Sequence, residues 1–313
     1  MTGRAAAGWL LRRLALGAVV VLGAATVAFL AFHLATGDPV RVLLGAETPT
    51  PAQLAEVRTQ LGYDRPVLVQ YGSFLGHLVR GDLGYSYQTR EPVSELIGDQ
   101  LLPTVELAGS ALILALAASV ALAVATAGRR PVLRGVSSLL ELVAISAPSF
   151  WVGVLLLTFF SFRLHLFPAV GSDNVDALVL PAVTLALGLV GTFTQVLRAG
   201  IERALAEPFV LSSRARGTGQ TQVRRRHALP HALVPLIALS GWTVGALLSG
   251  SVVIETIFSR QGLGRVVATA VGGRDLPVIT GVTVVSAAAF TLTSLLVDWL
   301  SRVVDPRLRE NPA

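Results

Sequence analysis

The sequence predicts an all-α membrane protein with six transmembrane helices and a small external subdomain between the first two. Of its 313 residues, 53% are hydrophobic and only 14% are charged, whereas soluble domains average about 25% charged residues. Six uncharged apolar runs, bounded by charged residues, glycine or proline, reach the roughly 20 helical residues that a bilayer core requires. They cover residues 14–34, 107–127, 142–162, 177–197, 232–254 and 276–297.

The kinds of residue that are missing exclude several functions. The chain has no cysteine, and all 25 of its basic residues are arginine. Without lysine there is no phosphate-binding loop of the G-x-x-x-x-G-K-[ST] type and no lysine Schiff base. Without cysteine there are no disulfides, thiolate nucleophiles or Cys-ligated metals. We therefore expect no cofactor on this chain.

Arginine placement predicts the orientation of the spans. Sixteen of the 25 arginines lie in the N-terminal segment, the second-to-third and fourth-to-fifth connections and the C-terminal tail. Short cytoplasmic segments retain positive charge, so both termini are expected in the cytoplasm. The first run, preceded by Arg12 and Arg13, could also be read as a signal peptide. It is longer than the 7 to 15 residues of a signal core, which favours a retained span.

Two connections on the opposite side have their own helical signals. Thr50 followed by Pro51 is typical of a capped helix start and predicts a helix through Leu61, and residues 67–79 predict a second helix, closed by Gly81. Residues 255–275 predict a short helix at the outer membrane face. The predicted division is residues 1–34 (cytoplasmic N-terminus and first span), 35–106 (external subdomain), 107–297 (five-span core with cytoplasmic loop 198–231) and 298–313 (cytoplasmic tail).

The cytoplasmic segment 207–233 has the most informative pattern. It predicts a short helix that opens near Pro208, a break at Gly217 and Gly219, and a basic run up to Pro230, where the fifth span starts. Glycine permits the turn with positive φ. The predicted face for a protein partner consists of Phe209, Val210, Ser212, Ser213 and Ala215. The alternative is an arginine-rich loop that only follows the positive-inside rule.

The spacing in this segment resembles the "EAA" loop of ABC-importer permeases, whose pattern is E-A-A-x3-G-x9-I-x-L-P. Aligned on Pro230, the match places Leu229 before the proline and Gly217 at the family's glycine. Departures stand at Leu211 (for glutamate), Ser212 and Ser213 (for the alanines) and His227 (for isoleucine). They fit the peptide branch of the family, whose form of this loop resembles the segments F-V-L-S-S-R-A-R-G (209–217) and R-H-A-L-P (226–230) of this chain.

Other segments resemble B-type permeases of dipeptide, oligopeptide and nickel importers, in the same order along the chain. They are R-P-V-L-V-Q-Y (65–71), G-D-L-G-Y-S (81–86), P-V-S-E-L-I (92–97), L-P-A-V-T-L-A-L (180–187), E-T-I-F-S-x-x-G-L-G-R (255–265) and R-D-L-P-V (274–278). The resemblance implies a type I ABC importer permease fold in a bacterial inner membrane. It implies a transport subunit that is not itself an enzyme.

The resemblance also implies partners. These are a homologous second permease, two ATPase domains that bind ATP and Mg, an external solute-binding protein and a peptide substrate, within membrane lipids and without nucleic acid. The implied ATPase-coupling residues are Pro208, Phe209, Val210, Ser212, Ser213, Arg214, Ala215, Arg216, Gly217, Leu229 and Pro230.

Several residues keep two readings. Glu255, with Gly262 and Gly264, predicts either an external gate that binds substrate or a structural cap for the following turn. The small residues Gly241, Gly245 and Ser249 predict close helix packing, against the second permease or inside the bundle. No metal site is expected at His227 and His231, because their spacing straddles Pro230.

Two other functions stay open from the sequence. Nickel or another small solute is an alternative to peptides, since the B-type motifs are shared. An ATP-independent channel or carrier is an alternative of a different class. No predicted span centre contains an ionisable residue, which disfavours a proton- or sodium-coupled carrier.

Overall fold

A computed structural model describes residues 3–34, 40, 50–129, 131–172 and 174–304 of the chain. Parts of the predicted subdomain 35–106 and of the predicted tail 298–313 therefore lie outside the described residues. The described helices are α1 (Gly3–Leu34), α2 (Pro51–Leu61), α3 (Val67–Val79), α4 (Val93–Thr126), α5 (Pro131–Ser146), α6 (Ser149–Leu156), α7 (Val175–Leu205), α8 (Pro208–Ala215), α9 (Leu229–Ile257), α10 (Leu263–Gly272) and α11 (Leu276–Val304).

The all-α prediction is confirmed, and five described helical segments are long and apolar enough to cross a membrane. The predicted number of six is reached when α5 and the helical segment Ser149–Arg163, which are bent against each other, are counted as one span. The predicted external helices also form as expected. Thr50 caps α2 with a reciprocal capping box to Gln53, and α3 and α10 occupy the predicted segments.

The third span differs from the single apolar run predicted for residues 142–162. Helix α5 ends at Ser146, α6 begins at Ser149, and the two are bent by 100° at the break between them. Pro148 causes the break, because proline lacks an N–H and disfavours helical geometry in the residue before it. After α6 the chain continues as a π-helix from Leu157 to Arg163.

The fifth span begins earlier than predicted. A helical turn at Gln220–Gln222 and a π-helix at Val223–Ala228 run directly into α9, so Pro230 does not mark the start of the helical rod. A π turn shifts the hydrogen-bond partner by one residue. Pro230 follows it in the first turn of the regular α-helix, where the fixed φ of proline already has a helical value.

The second span also extends beyond its predicted limit. Helix α4 starts at Val93 and passes through Pro103 without ending. The boundary drawn after Glu106 therefore falls inside a helix, and residues 93–106 continue the second span.

Helices α4, α7 and α9 form the centre of the bundle. Their buried apolar side chains include Leu197, Ile201 and Leu236. Glycine and alanine allow the closest approaches: Gly200 lies against Ala232. At the edge of the bundle, α1 runs antiparallel to α11, with the Arg302 guanidinium 4.0 Å from the centre of the Trp9 ring.

The spans define two ends of the molecule. We call the side that carries α8, the start of α1 and the end of α11 the loop end. The side that carries α2, α3 and α10 is called the far end. These names describe only the chain's own topology.

Candidate functional site

The candidate site at the loop end is the short helix α8 between α7 and the fifth span. Only Ala206 and Glu207 separate α7 from α8. Glu207 is extended, and Pro208 occupies the first turn of α8, where proline is already set for helical geometry. Helix α8 is therefore attached to α7 by almost no flexible chain.

Gly217 turns the chain after α8, as predicted. Its φ is 81°, a left-handed conformation that favours glycine. Its N–H donates to the Arg214 carbonyl at 2.9 Å, and the Thr218 N–H donates to the Ser213 carbonyl at 3.2 Å. A Cβ atom at Gly217 would meet open space, so the requirement for glycine comes from the backbone alone. Gly219 is extended, with φ −63°.

The exposed face of α8 differs from the predicted one. Val210 and Ser213, three residues apart, point into the protein and are 1% and 2% exposed. Both were predicted as part of a face for a partner, and this is wrong in the described chain. The outward face consists of Phe209, Leu211, Ser212, Arg214, Ala215 and Arg216. This face is amphipathic rather than small and apolar.

The segment beyond the turn supports α8 from below. Val223, Arg224 and Ala228 in the π-helix are buried, and Leu229 packs against the central apolar cluster. Arg224 Nη2 lies 3.4 Å from Gln220 Oε1. The ring of Phe209 in α8 lies 5.5 Å from that of His231. Among the described residues no group of three or more His, Asp or Glu could hold a metal ion.

A buried ion pair joins α5 to α7 near the loop end, and sequence reasoning missed it. Arg198 Nη1 and Nη2 donate to Glu141 Oε1 and Oε2 at 2.7 and 2.6 Å. The Ser137 hydroxyl donates to Glu141, and the Ser138 hydroxyl accepts from Arg198. Span boundaries at residues 142 and 197 left both charges just outside the predicted spans. The pair fixes the first half of the bent third span against the helix that leads into α8.

Glu255 lies at the far end and is fully buried. Its Oε1 accepts from the Thr104 hydroxyl at 2.8 Å, and its Oε2 accepts from the Arg265 N–H at 3.1 Å. Thr104 in turn accepts from the Leu263 N–H. The carboxylate thus caps the N-terminus of α10, where free N–H groups favour negative charge.

Both glycines predicted to accompany Glu255 are in contact with it. A Cβ at Gly262 would overlap the Glu255 carboxylate, and one at Gly264 would lie 2.9 Å from Glu255 Oε2. Arg260 Nη2 lies 3.4 Å from Glu106 Oε2. Glu255 is thus engaged by hydrogen bonds within the chain, a geometry that favours the structural reading over the substrate-binding one.

Asp275 joins two of the sequence motifs at the far end. Its carboxylate accepts from the Ser86 hydroxyl and from the backbone N–H groups of Tyr87 and Gln88, the latter two at 3.2 Å each. Ser86 ends the G-D-L-G-Y-S motif and Asp275 lies in R-D-L-P-V. The two motifs, 189 residues apart in sequence, therefore meet in one buried cluster that ties the loop before α4 to the start of α11.

We expect Asp275→Asn to lower the free energy of unfolding by about 2 kcal/mol, because hydrogen bonds to a charged acceptor are worth about 1.5–3 kcal/mol. The NH₂ group of the asparagine would also face hydrogen-bond donors of the loop, where the aspartate has an accepting oxygen. Reversible unfolding in mixed micelles measures the change. Asp99→Asn, at an exposed position of α4, is the matched control. Equal stability of both variants would contradict the buried cluster.

The small-residue row on the fifth span faces the chain's own last helix. Cβ atoms at Gly241 and Gly245 would lie 2.9 Å from Val297 and 3.0 Å from Phe290, both in α11. The Ser249 side chain lies outside the described residues. The two described glycines favour the internal-packing reading over contact with a second subunit.

The apolar spans, with a short helix held on the loop between the fourth and fifth, define a polytopic membrane protein. The family model described as "Binding-protein-dependent transport system inner membrane component" matches residues 114–310. Its companion, "Binding-prot-dependent transport system membrane comp, N-term", matches residues 7–108. The chain belongs to this family, the permease subunits of ABC importers, which are transport proteins and not enzymes.

Curated relatives match nearly the whole chain. The glutathione transport system permease protein GsiC of Salmonella paratyphi A is 35% identical over 305 residues, covering 96% of this chain and 98% of the relative. GsiC of Escherichia coli O6:H1 is 34% identical over 285 residues, covering 90% and 92%. The full length of the chain thus resembles full-length permeases.

A solved structure shares the fold. The MetNI methionine ABC transporter in an inward-facing conformation has a TM-score of 0.57 to this chain at 21% identity, covering 69% of this chain and 99% of the other. This likeness concerns the fold alone, and it confirms the predicted type I importer permease architecture.

Proposed function

We propose that this permease forms one half of the membrane pathway of an importer for di- and oligopeptides. Its partners are a second, homologous permease, two ATPase domains and an external solute-binding protein. The relatives named for glutathione transport support this substrate class, since glutathione is a tripeptide. The observation that carries the coupling role is α8, a short exposed helix set rigidly between two spans.

Helix α8 is the proposed ATPase-docking element. Its outward face offers Phe209 and Leu211 for an apolar groove and Arg214 and Arg216 for acidic groups on its rim. Its inward face is held by the buried Val210 and Ser213. A displacement of α8 must therefore move the helices packed beneath it.

Movement passes from α8 to the rest of the bundle through α7. Helix α7 precedes α8, with only two residues between them, and is joined to α5 by Arg198 and Glu141. Closure of the ATPase dimer shifts the permease between states because the two states bind it with different affinity. The resulting movement alternately opens the pathway between the two permeases, without covalent chemistry on this chain.

The proposed orientation places the loop end in the cytoplasm. The excess of arginine at this end supports it, with seven arginines between residues 198 and 226. Gln222→Cys, at an exposed loop-end position outside α8, introduces a single cysteine into the cysteine-free chain and tests the orientation in intact cells. An impermeant maleimide should modify it only after the cells are opened, and modification from outside would reverse the assignment.

We expect Gly217→Val to reduce the rate of ATP-dependent peptide uptake at least about tenfold, because a β-branched residue is strained at positive φ. Loss of the turn displaces α8 and weakens the association with the ATPase subunits. Uptake by proteoliposomes and co-purification of the ATPase subunits measure both effects.

Gly219→Val is the control for this experiment. It adds the same side chain two residues away, where φ is −63° and a Cβ meets open space, so uptake should stay near normal. A correctly inserted Gly217→Val that retains both association and uptake would refute the docking role.

The substrate class is tested separately with the unmodified transporter. Radiolabelled dipeptide and glutathione uptake should be ATP-dependent and mutually competitive. Selective Ni²⁺ uptake would instead assign the chain to small-solute import. Transport that persists without any ATPase subunit would favour a channel or carrier.

A further inference from the structure

We propose that α3 (Val67–Val79) is an interfacial membrane helix, whose outward face lies in the lipid of the far-end leaflet. The contacts of α3 with two spans, the chemistry of its faces and the placement of tyrosine support this position, to which the proposed importer function assigns no role.

One face of α3 is fixed to α1. The Tyr71 hydroxyl lies 2.7 Å from Thr26 Oγ1, and Gln70 Oε1 lies 3.1 Å from His33 Nε2. The Phe74 ring stacks on that of Phe29, with centroids 5.5 Å apart. These contacts define the side of α3 that faces the protein.

A second side of α3 is apolar and exposed. At 100° per residue, Leu68 and Val79 share this side, about 120–180° from Gln70 and Phe74, with the half-buried Leu75 between them and the protein face. Leu68 and Val79 are 84% and 86% exposed. A helix on a water-facing surface carries polar residues on its outer side. Here the side that carries Leu68 and Val79 holds only glycine beside them, at Gly72 and Gly76, and no polar side chain, as expected for contact with lipid.

Contacts with the spans place α3 at the depth of the bilayer boundary. The apolar span of α1 covers Gly8–Ala31, so Thr26 lies five residues, or about 7.5 Å, inside its end. His33 lies two residues beyond that end. A cavity of about 470 Å³ beneath α3 is lined by Val69 and Phe74 together with Pro277 and Thr280, which stand in the first residues of the last span. Both spans therefore place α3 where hydrocarbon meets headgroups.

Tyrosine marks the same level. All four tyrosines of the chain lie between residues 63 and 87, and tyrosine concentrates at membrane interfaces because its ring is apolar and its hydroxyl polar. Tyr63 and Tyr87 join hydroxyls at 2.6 Å. Tyr85 is exposed. The segment around α3 therefore has the composition of an interfacial belt.

Lipid is the one occupant that these observations favour. Helix α1, to which α3 is fixed, also exposes apolar side chains near the same end, at Val27, Leu30 and Leu34. An interfacial helix buries its apolar face about 5–10 Å into the boundary between headgroups and acyl chains. Part of the segment predicted as an external subdomain is thereby anchored in the bilayer.

The cysteine-free chain allows a direct test of depth. Leu68→Cys and Val79→Cys, labelled with the fluorophore NBD, are reconstituted as full chains in phosphatidylcholine and phosphatidylglycerol nanodiscs. Ala55→Cys, on the exposed surface of the polar helix α2, is the control. Lipids with a nitroxide on carbon 5 of the acyl chain and aqueous iodide serve as the two quenchers.

At positions 68 and 79 we expect lipid-nitroxide quenching at least about threefold stronger than at position 55, and weaker iodide quenching, given the interfacial depth. Iodide quenching equal to that of position 55 would overturn the proposal by placing the face in water. Protection from both quenchers would also overturn it, because it would show that protein covers the face.

Discussion

Replacing Arg198 with methionine will lower the free energy of unfolding by about 3–5 kcal/mol, because it leaves the Glu141 carboxylate buried without its partner. Both side chains lie almost wholly inside the protein, joined by two hydrogen bonds of 2.6 and 2.7 Å. Reversible unfolding by SDS in mixed micelles, followed by circular dichroism, measures the change. We also expect peptide uptake to fall, since α5 is no longer fixed to α7.

Two variants separate the unpaired charge from other causes. Adding Glu141→Leu to Arg198→Met should recover most of the lost stability, because an apolar pair of similar volume replaces a buried ion pair at little cost. Arg203→Met, at an exposed position of the same helix, should change stability by less than about 0.5 kcal/mol. If Arg198→Met changed the free energy of unfolding as little as Arg203→Met, the ion pair would not stabilise the fold.

Local signals were enough to predict the short helices. The cap at Thr50 and the proline at position 51 define the start of α2 through groups within three residues of each other. The turn at Gly217 follows from one residue's backbone freedom. Such features depend only on residues close together in the sequence, so they can be predicted from the sequence alone.

Hydropathy alone did not predict the shape of the spans. A run of apolar residues has the same hydropathy whether it is straight or bent, so hydropathy does not indicate the 100° break that Pro148 causes after α5. The start of the fifth span was missed because Val223–Ala228 holds three arginines. Their helical backbone is a π-helix, which has no simple sequence signal.

The buried polar clusters required three-dimensional information. Glu255 meets Thr104 across 151 residues of sequence, and Asp275 meets Ser86 across 189. The motifs that contain Glu255, Asp275 and Ser86 were recognised one by one. Their contact depends on how α10 and α11 pack against α4, which no local pattern encodes.

Gly264→Ala will destabilise the protein by about 2–3 kcal/mol, the usual cost of forcing an atom into a packed interior. Its Cβ would lie 2.4 Å from Val252 Cα and 2.7 Å from the Val252 nitrogen. Because these are backbone atoms, no rotamer change relieves the contact. Helix α10 must shift, which breaks the cap that Glu255 forms. Unfolding in mixed micelles measures the loss, alongside uptake.

Gly272→Ala, on the same helix, should change the free energy of unfolding in the opposite direction. Its Cβ would meet open space. Replacing glycine by alanine lowers the entropy of the unfolded chain, which should raise the free energy of unfolding by about 0.4–1 kcal/mol. The pair also separates the two readings of Glu255. If Gly264→Ala lowers stability and uptake together, Glu255 acts as the structural cap of α10. Full stability with lost uptake would instead support a gate at this position, because packing would then have tolerated the added methyl group.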